Sequence, residues 1–332
     1  MLKKSAVPAA RAARARASLA AVTRAASLSA EPFADRLLRR VRALGHPLCA
    51  GLDPDLARIP PVFRRGAMDP GAPDTAEALA AFCRAFLERV ADRVAALKPQ
   101  SAFFEALGWR GVRVLAEVLE AARARGLPVV LDAKRGDIGS TAAGYAAAYL
   151  APGAPLRADA LTVNPYLGLD ALEPFVREAE RARGGLFVLA RTSNPGGRDF
   201  QDAPDTAGRP LYERVAEALQ PHAKRLAGPA SGFSGLGLVA GATRPDEARR
   251  LRELAPTALF LVPGYGAQGA SAREAVAGFV RGAGGRLEGG IVNASRALAF
   301  PDARGEGAAA WERAVDGALD RATAELAGAT AG

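Results

Sequence analysis

The sequence predicts an α/β fold: a single (β/α)8 barrel preceded by a disordered basic extension. Three observations lead to this prediction: a chain of 332 residues, a series of short apolar segments, and amphipathic helical patterns between them. A chain of this length forms either two domains or one such barrel, and it can bury a large core without disulfides. We therefore expect residues 1–30 to form the extension and residues 31–330 to form one barrel domain.

The extension accounts for most of the basic character of the chain. Residues 1–30 contain six Lys or Arg residues and no acid, so they carry six of the nine net positive charges. The remainder is close to neutral and only 6% of all residues are aromatic, which argues against a nucleic-acid partner. A disordered or mis-started extension, a targeting peptide and a polyanion-binding arm all stay open for this segment. No run of about 18 apolar residues occurs, which predicts no membrane span.

Two cysteines and two histidines are too far apart in the sequence to suggest a metal site. Cys49 lies in an apolar run, Cys83 lies on a helical pattern, and His46 and His222 are isolated. We expect buried thiols in a reducing, cytoplasmic compartment and no bound metal.

Eight short apolar segments are expected to form the strands. Most end at polar, Gly or Pro residues, and several are near-continuous runs of Val, Leu and Ile, which is typical of parallel strands covered on both faces. The predicted strands are residues 47–52, 95–99, 128–132, 160–164, 185–190, 235–240, 258–262 and 289–293.

The segments between these strands have the apolar spacing of helices. The pattern is clear in residues 77–95 and 112–122, and it recurs from Asp246 onward and in residues 272–280. Strict alternation of strands and helices favours a (β/α)8 barrel, with a doubly wound open sheet as the alternative.

In such barrels the functional site lies at the carboxyl ends of the strands, so polar residues just past each strand should converge there. Buried charges in such a cluster must be paired, and pairing perturbs their pKa values. The residues at these positions are Asp53, Lys98, Asp132, Lys134, Asp137, Asn164, Tyr166, Thr192, Ser193, Asn194, Pro263, Gly264, Gln268, Ser295 and Arg296.

The segment after the third strand has the densest charge. Asp132 and Lys134 are two residues apart in an extended chain, so their side chains point the same way, and Asp137 follows a glycine that permits a tight turn. Nearby carboxylates keep a lysine protonated, which suits it to donate a proton. The alternative is an ordinary surface ion pair.

Five motifs in order resemble orotidine 5′-phosphate decarboxylases, in particular their longer bacterial branch. They are Gly51–Pro54, Lys98–Glu105, Asp132–Thr141, Thr192–Gly196 and Pro263–Gly269, and the resemblance runs from about residue 45 to about residue 300. The resemblance implies a carboxy-lyase that converts orotidine 5′-phosphate (OMP) to UMP and CO2, the last step of UMP biosynthesis, without metal or organic cofactor. Residues 293–296, Asn-Ala-Ser-Arg, depart from the simplest pattern, in which a small or glycine-type residue is expected just before Arg296.

The resemblance also implies which residues do the chemistry. Lys134 would donate a proton to C6, Asp132 would lie against the substrate carboxylate, and Lys98 and Asp137 would complete an alternating Lys–Asp array. In the family the residues equivalent to Asp137 and Thr141 reach into the neighbouring subunit's site, which implies a homodimer with shared sites.

The remaining assignments by resemblance concern substrate binding. The substrate-binding residues would be Asp53 and Lys98 for the ribose hydroxyls, Ser193 for the pyrimidine, and Pro263, Gly264, Gln268 and Arg296 for the phosphate. A glycine-rich loop after strand 7 suits backbone contacts to a phosphate.

Other classes stay open at this point. There are three alternatives: a metal-dependent sugar-phosphate decarboxylase of the same superfamily, a regulator that binds nucleotide phosphate without catalysis, and a basic nucleic-acid-binding protein.

Two segments, residues 53–76 and 196–210, are longer than simple loops, and each could be a lid or a packing insertion.

Overall fold

The computed structural model describes residues 31–266, 269–303 and 305–332, in which eight parallel strands form a barrel. The strand order is β2-β1-β8-β7-β6-β5-β4-β3, and isolated bridges Leu97–Val129 and Gln100–Asp132 join β2 to β3. The predicted (β/α)8 barrel is confirmed, and the open sheet is excluded. The predicted basic extension, residues 1–30, lies outside the described residues. The barrel strands are β1 (Leu48–Leu52), β2 (Ala96–Pro99), β3 (Val130–Arg135), β4 (Ala160–Val163), β5 (Gly185–Arg191), β6 (Ser234–Ala240), β7 (Ala258–Val262) and β8 (Gly290–Ala294).

Helices cover the outside of the barrel, because their apolar stripes pack on the outward-facing strand residues. In the described residues they are α1 (Phe33–Leu44), α2 (Pro73–Val90), α3 (Ser101–Glu105), α4 (Gly108–Ala124), α5 (Gly139–Leu150), α6 (Leu169–Ala182), α7 (Arg198–Gln201), α8 (Leu211–Ala218), α9 (Gln220–Arg225), α10 (Pro245–Leu254), α11 (Ala272–Ala275), α12 (Arg296–Ala299) and α13 (Ala308–Ala331). Short 3-10 turns lie at Leu56–Arg58, Pro61–Phe63 and Pro195–Gly197. None of these helices is long and apolar enough to cross a membrane.

Helix α1 closes the amino-terminal end of the barrel. Its apolar face, centred on Phe33 and Leu37, belongs to one buried cluster with the inward-facing residues Cys49, Val130 and Phe187. The Phe33 and Phe187 rings meet edge to face with centroids 6.2 Å apart. With this end filled by side chains, the opposite, carboxyl-terminal end is left for a binding site.

The segment between β1 and α2 is anchored to the helical shell. Phe63 packs against Phe82 of α2, with ring centroids 5.7 Å apart, and against Trp311 of α13, with centroids 5.0 Å apart. Ile59 and Met68 of the same segment are also buried. These contacts make this part of residues 53–76 a packing insertion.

One predicted helix is much shorter than expected. Residues 272–280 have helical spacing, yet α11 ends at Ala275, and Val280–Arg281 pairs with Leu287–Glu288 in a two-stranded antiparallel hairpin. Gly278 packs so closely that an added Cβ would lie 2.6 Å from the Phe260 ring and 2.9 Å from the Ala248 carbonyl oxygen. Tertiary packing against β7 and α10 therefore overrides the local helical pattern.

Candidate active site

Three charged side chains meet at the carboxyl ends of β2 and β3. Lys98 and Asp132 are buried, and the Lys98 Nζ lies 2.8 Å from Asp132 Oδ2. The Lys134 Nζ lies 2.6 Å from the other carboxylate oxygen, Oδ1. Gln100 donates a further hydrogen bond of 3.0 Å from Nε2 to Asp132 Oδ2. The structure thus brings together Lys98, Asp132 and Lys134 in an alternating Lys–Asp–Lys array.

Electrostatics keep the buried pair of this array ionised. Burial by itself raises the pKa of Asp132, but Lys98 and Lys134 outweigh burial and hold that pKa well below its ordinary range. Burial likewise lowers the pKa of Lys98, and attraction by Asp132 and Asp53 raises it above the ordinary value. At neutral pH the site therefore contains a fixed carboxylate beside a fixed ammonium.

Lys134 differs from Lys98 in exposure and in backbone conformation. Its side chain is 46% exposed, so its ammonium lies at the open side of the array. Its φ of 47° is in the left-handed region, which a residue with a Cβ rarely adopts. The backbone N–H of Lys134 donates to the Thr162 hydroxyl oxygen at 2.8 Å. Sequence reasoning missed Thr162, although a polar residue inside the apolar strand β4 was a usable signal.

Two unpartnered acceptors lie beside this array. In the described residues the buried Asp53 Oδ1 and Asn293 Oδ1 have no hydrogen-bond partner. A Cβ on Gly51 would lie 2.9 Å from Asn293 Oδ1 and 1.9 Å from Ser295 Oγ, so only glycine lets the ends of β1 and β8 approach this closely. Both acceptors therefore have unused hydrogen-bonding capacity at the ends of β1 and β8. Asn293 was not predicted as a site residue.

The loop that contains Ser193 is held by side chains around it. The Thr192 N–H donates to Gln201 Oε1 at 3.0 Å, and Gln201 Nε2 donates to Thr192 Oγ1 at 2.8 Å. Arg191, only 2% exposed, binds Glu247 and Asp202. These contacts fix the backbone on both sides of Ser193, whose side chain is half-buried at the edge of the barrel.

The predicted phosphate-binding residues lie after β7 and β8. Pro263 and Gly264 directly follow β7, and Gly264 has a φ of 100° that favours glycine. Gln268 lies outside the described residues. Arg296 is the first residue of α12 and is exposed, and no carboxylate within 4.0 Å of it is found among the residues that the structure describes.

Asp137 and Thr141 do not join the array of their own chain. The Asp137 carboxylate accepts a hydrogen bond of 2.8 Å from the neighbouring Ile138 N–H, and no ion pair between Asp137 and Lys134 occurs in the described residues. Thr141 is exposed on α5. Two large apolar side chains that follow β3 and β4, Ile138 and Tyr166, are 59% and 80% exposed.

Both histidines lie away from the carboxyl ends of the strands. His46 precedes β1 at the amino-terminal end of the barrel, and His222 lies on α9 near Glu173. Within the described ranges no group of three or more His, Cys, Asp or Glu residues is placed to hold a metal ion. Neither histidine is therefore placed beside the Lys98–Asp132–Lys134 array.

A parallel eight-stranded barrel with a charged array at the carboxyl ends of its strands defines the class of (β/α)8 barrel enzymes. The family model for orotidine 5′-phosphate decarboxylase and HUMPS proteins matches residues 46–310. An orotidine 5′-phosphate decarboxylase of Rhodopirellula baltica is 41% identical over 307 residues, which cover 89% of this chain and 99% of that protein. One from Haloarcula marismortui is 43% identical over 270 residues, covering 81% and 87% of the two chains.

A similar solved structure belongs to the same kind of enzyme as the sequence relatives. The structure of Leishmania donovani OMP decarboxylase is 35% identical, with a TM-score of 0.67, and covers 90% of this chain and 98% of that one. The chain belongs to the orotidine 5′-phosphate decarboxylase / HUMPS family.

Proposed function

We propose that this protein decarboxylates OMP to UMP and CO2, with Lys134 as the proton donor. The observation that supports this reaction best is the Lys98–Asp132–Lys134 array, in which only the Lys134 ammonium lies at the open side. Relatives at about 40% identity bear the name of this enzyme, and they align over 89% and 81% of this chain. The proposal assigns the protein to the closing step of UMP formation.

The reaction needs one bond broken and one formed. The C6–carboxylate bond of OMP breaks, CO2 leaves, and the electron pair of that bond stays on C6. Lys134 then transfers a proton from Nζ to C6, which yields UMP, and the neutral amine regains a proton from solvent. An ammonium already held at this position stabilises the charge that develops on C6 before the transfer occurs.

Asp132 has two roles in this proposal. Its two oxygens hold the two lysines 2.8 and 2.6 Å away, which orients the Lys134 ammonium. Its carboxylate, which stays ionised at any pH near neutrality, lies against the carboxylate of bound OMP. The repulsion between the two is relieved when CO2 leaves.

The rest of the substrate is remote from C6, and its binding positions the reacting carbon. Asp53 Oδ1, buried without a partner in the described residues, accepts from a ribose hydroxyl, and Lys98 donates to the ribose. Ser193 hydrogen-bonds the pyrimidine. The loop from Pro263 and the Arg296 guanidinium bind the phosphate.

We also propose a homodimer with shared sites in a cytoplasmic setting. Asp137 and Thr141 have no contact with the array of their own chain among the described hydrogen bonds and ion pairs, and exposed apolar side chains flank them. A second copy that covers Ile138 and Tyr166 would bring its Asp137 to the partner's Lys134. Two free cysteines, Cys49 and Cys83, fit a reducing compartment.

The test follows the ultraviolet absorbance of OMP in EDTA. Purified protein is expected to convert OMP to UMP without metal, and Lys134→Ala is expected to lose nearly all turnover while it still binds UMP. Folding of the variant is checked by its circular dichroism spectrum and melting temperature.

Other outcomes would favour other functions. Turnover that needs Mg²⁺ would indicate the metal-dependent sugar-phosphate class, and UMP binding without OMP turnover would indicate a regulator. Turnover by Lys134→Ala at the wild-type rate would exclude Lys134 as the proton donor.

A further inference from the structure

A buried hydroxyl lies directly beneath the catalytic array. Thr162 is in the middle of β4, 1% exposed, between the apolar residues Leu161 and Val163. Ala160, two residues earlier on the same side of the strand, belongs to the cluster inside the barrel. A hydroxyl at such a position must find hydrogen-bond partners within the protein.

All the partners of this hydroxyl belong to the segment that carries the array. Thr162 Oγ1 accepts hydrogen bonds from the backbone N–H groups of Ala133 at 3.0 Å and of Lys134 at 2.8 Å. The same oxygen donates to Asp132 Oδ1 at 3.0 Å. One oxygen atom therefore holds the backbone of Lys134 and the carboxylate of Asp132 at once, and its hydrogen-bonding capacity is filled.

The strand pairing explains why these N–H groups need a side chain. In the β3–β4 ladder Leu131 pairs with Leu161 but Arg135 pairs with Val163, so β3 contains two extra residues over this interval. Such a bulge removes backbone groups from the ladder and redirects side chains. Thr162 lies opposite the bulge, where its hydroxyl replaces the missing backbone acceptor.

The bulge also contains the left-handed backbone of Lys134. A residue with a Cβ persists at φ 47° only where its surroundings fix it. Here the two hydrogen bonds to Thr162 fix that conformation, and the ion pair with Asp132 fixes the ammonium. Loss of the hydroxyl would free the backbone and the carboxylate together.

We propose that Thr162 is a positioning residue of this site, because its hydroxyl fixes the Lys134 backbone and the Asp132 carboxylate in the arrangement that delivers the proton. It acts through these two residues. The inference deepens the proposed function and rests on Lys134 as the proton donor.

The test compares Thr162→Val, which keeps the shape but loses the hydroxyl, with Thr162→Ser, which keeps the hydroxyl. A misplaced ammonium affects the chemical step more than binding, so Thr162→Val should lower kcat about 10- to 100-fold. The KM for OMP and the Kd for UMP should stay within about threefold of wild type. Thr162→Ser should recover most of the lost kcat.

Thr330→Val is the matched control. Thr330 is also 1% exposed, and its hydroxyl donates to the Leu326 carbonyl at 2.9 Å and accepts from Arg286 at 3.1 Å, at the C-terminal end of α13. This variant loses comparable hydrogen bonds outside the catalytic array, so kcat should not change. An equal fall of kcat in both valine variants would assign the effect of Thr162 to stability and overturn the proposal.

A crystal structure of Thr162→Val gives a readout that does not depend on turnover. The proposal expects Lys134 to leave the left-handed region, or its Nζ to move away from Asp132. A variant structure with φ and ion pair unchanged would overturn the positioning role. Failure of the proposed function is a separate result, because it would appear as absence of OMP turnover in the wild-type protein.

Discussion

At the scale of the single residue, His46 is a buried titratable side chain whose protonation is coupled to folding. It lies just before β1 and is 7% exposed, and its Nδ1 accepts a hydrogen bond from the Leu48 N–H at 3.3 Å. Burial, together with the positive charges of Arg286 and Arg93, lowers the pKa of His46 to about 4. The imidazole is therefore neutral in the folded protein across the physiological range.

We predict that His46 makes the protein less stable as the pH falls from 6.5 to 4. In this window the unfolded chain binds a proton at His46 and the folded chain does not, so protonation favours unfolding. Above pH 6.5 the His46 side chain is neutral in both the folded and the unfolded protein, so it no longer changes the free energy of unfolding. The pKa difference corresponds to a loss of about 3 kcal/mol at pH 4.

The measurement is the free energy of urea unfolding from pH 4 to pH 7, for wild type and for His46→Gln, which retains a hydrogen-bond acceptor. The pH slope should be smaller in the variant. Equal slopes would mean that folding does not lower the pKa of His46. The carboxylate of Asp132 contributes separately to the free energy of unfolding, because its pKa is lower in the folded protein than in the unfolded chain. This contribution is fully present above the ordinary pKa near 3.8, and it is lost as the pH falls toward the lower folded pKa.

At the scale of elements, the loop after β5 depends on one arginine at the end of that strand. The Arg191 guanidinium lies 2.7 Å from Asp202 Oδ1, in the residues that follow α7, and 3.0 Å from Glu247 Oε1 on α10. Its guanidinium carbon also lies 5.3 Å from the centroid of the Tyr212 ring on α8. One side chain thus ties the loop around Ser193 to two helices of the shell.

We predict that Arg191→Met weakens substrate binding more than the chemical step. Without the guanidinium, Asp202 and Glu247 lose their shared partner, and the loop that contains Ser193, the proposed contact to the pyrimidine, becomes mobile. The KM for OMP should rise roughly tenfold with a smaller change in kcat, and unfolding should become easier by on the order of 3 kcal/mol.

The prediction is checked by steady-state kinetics and thermal unfolding, with Arg209→Met as the matched control. Arg209 also binds two carboxylates, Asp205 and Glu217, but it is exposed. The control should change neither KM nor kcat, because exposed ion pairs contribute little. An unchanged KM in Arg191→Met would show that this network does not support the substrate loop.

At the scale of the whole molecule, the proposed homodimer depends on the array that each chain presents at the carboxyl end of its barrel. Lys98, Asp132 and Lys134 come from the same chain, with ion-pair distances of 2.8 and 2.6 Å. Asp137 comes from the same motif but makes no ion pair with Lys134 in the described residues. A symmetric pair of chains can complete both arrays at once, because a twofold axis makes each contribution reciprocal.

We predict that mixing Lys134→Ala chains with Asp137→Ala chains restores activity. In a mixed dimer with shared sites, one site receives both alanines and the other receives none. Random exchange of equal amounts should therefore give roughly a quarter of the wild-type activity per chain. Mixed dimers are verified by native mass spectrometry with one chain tagged.

The control for this experiment pairs Lys134→Ala with Asp132→Ala. Both residues belong to the array of one chain, so every site in the mixed dimer has one defect and no activity should return. Recovery in the control, or none in the test mixture, would contradict shared sites.

The sequence by itself determined most of the architecture. Alternating apolar segments and helical patterns are local properties, so the strands were predicted to within one to three residues, for example 47–52 against Leu48–Leu52. The charged motif after the third strand pointed to the array because the carboxyl ends of barrel strands converge. The third strand itself extends to Arg135, further than predicted, because charged residues do not have the apolar pattern of a strand.

The tertiary structure decided what depends on pairing between distant segments. The register shift between β3 and β4, the left-handed backbone of Lys134 and the hydroxyl of Thr162 opposite it form one arrangement. No local pattern encodes a register, since it results from how two strands align in the closed barrel. The same holds for the hairpin that replaces the end of a predicted helix at residues 272–280, where close packing of Gly278 on β7 outweighs helical spacing.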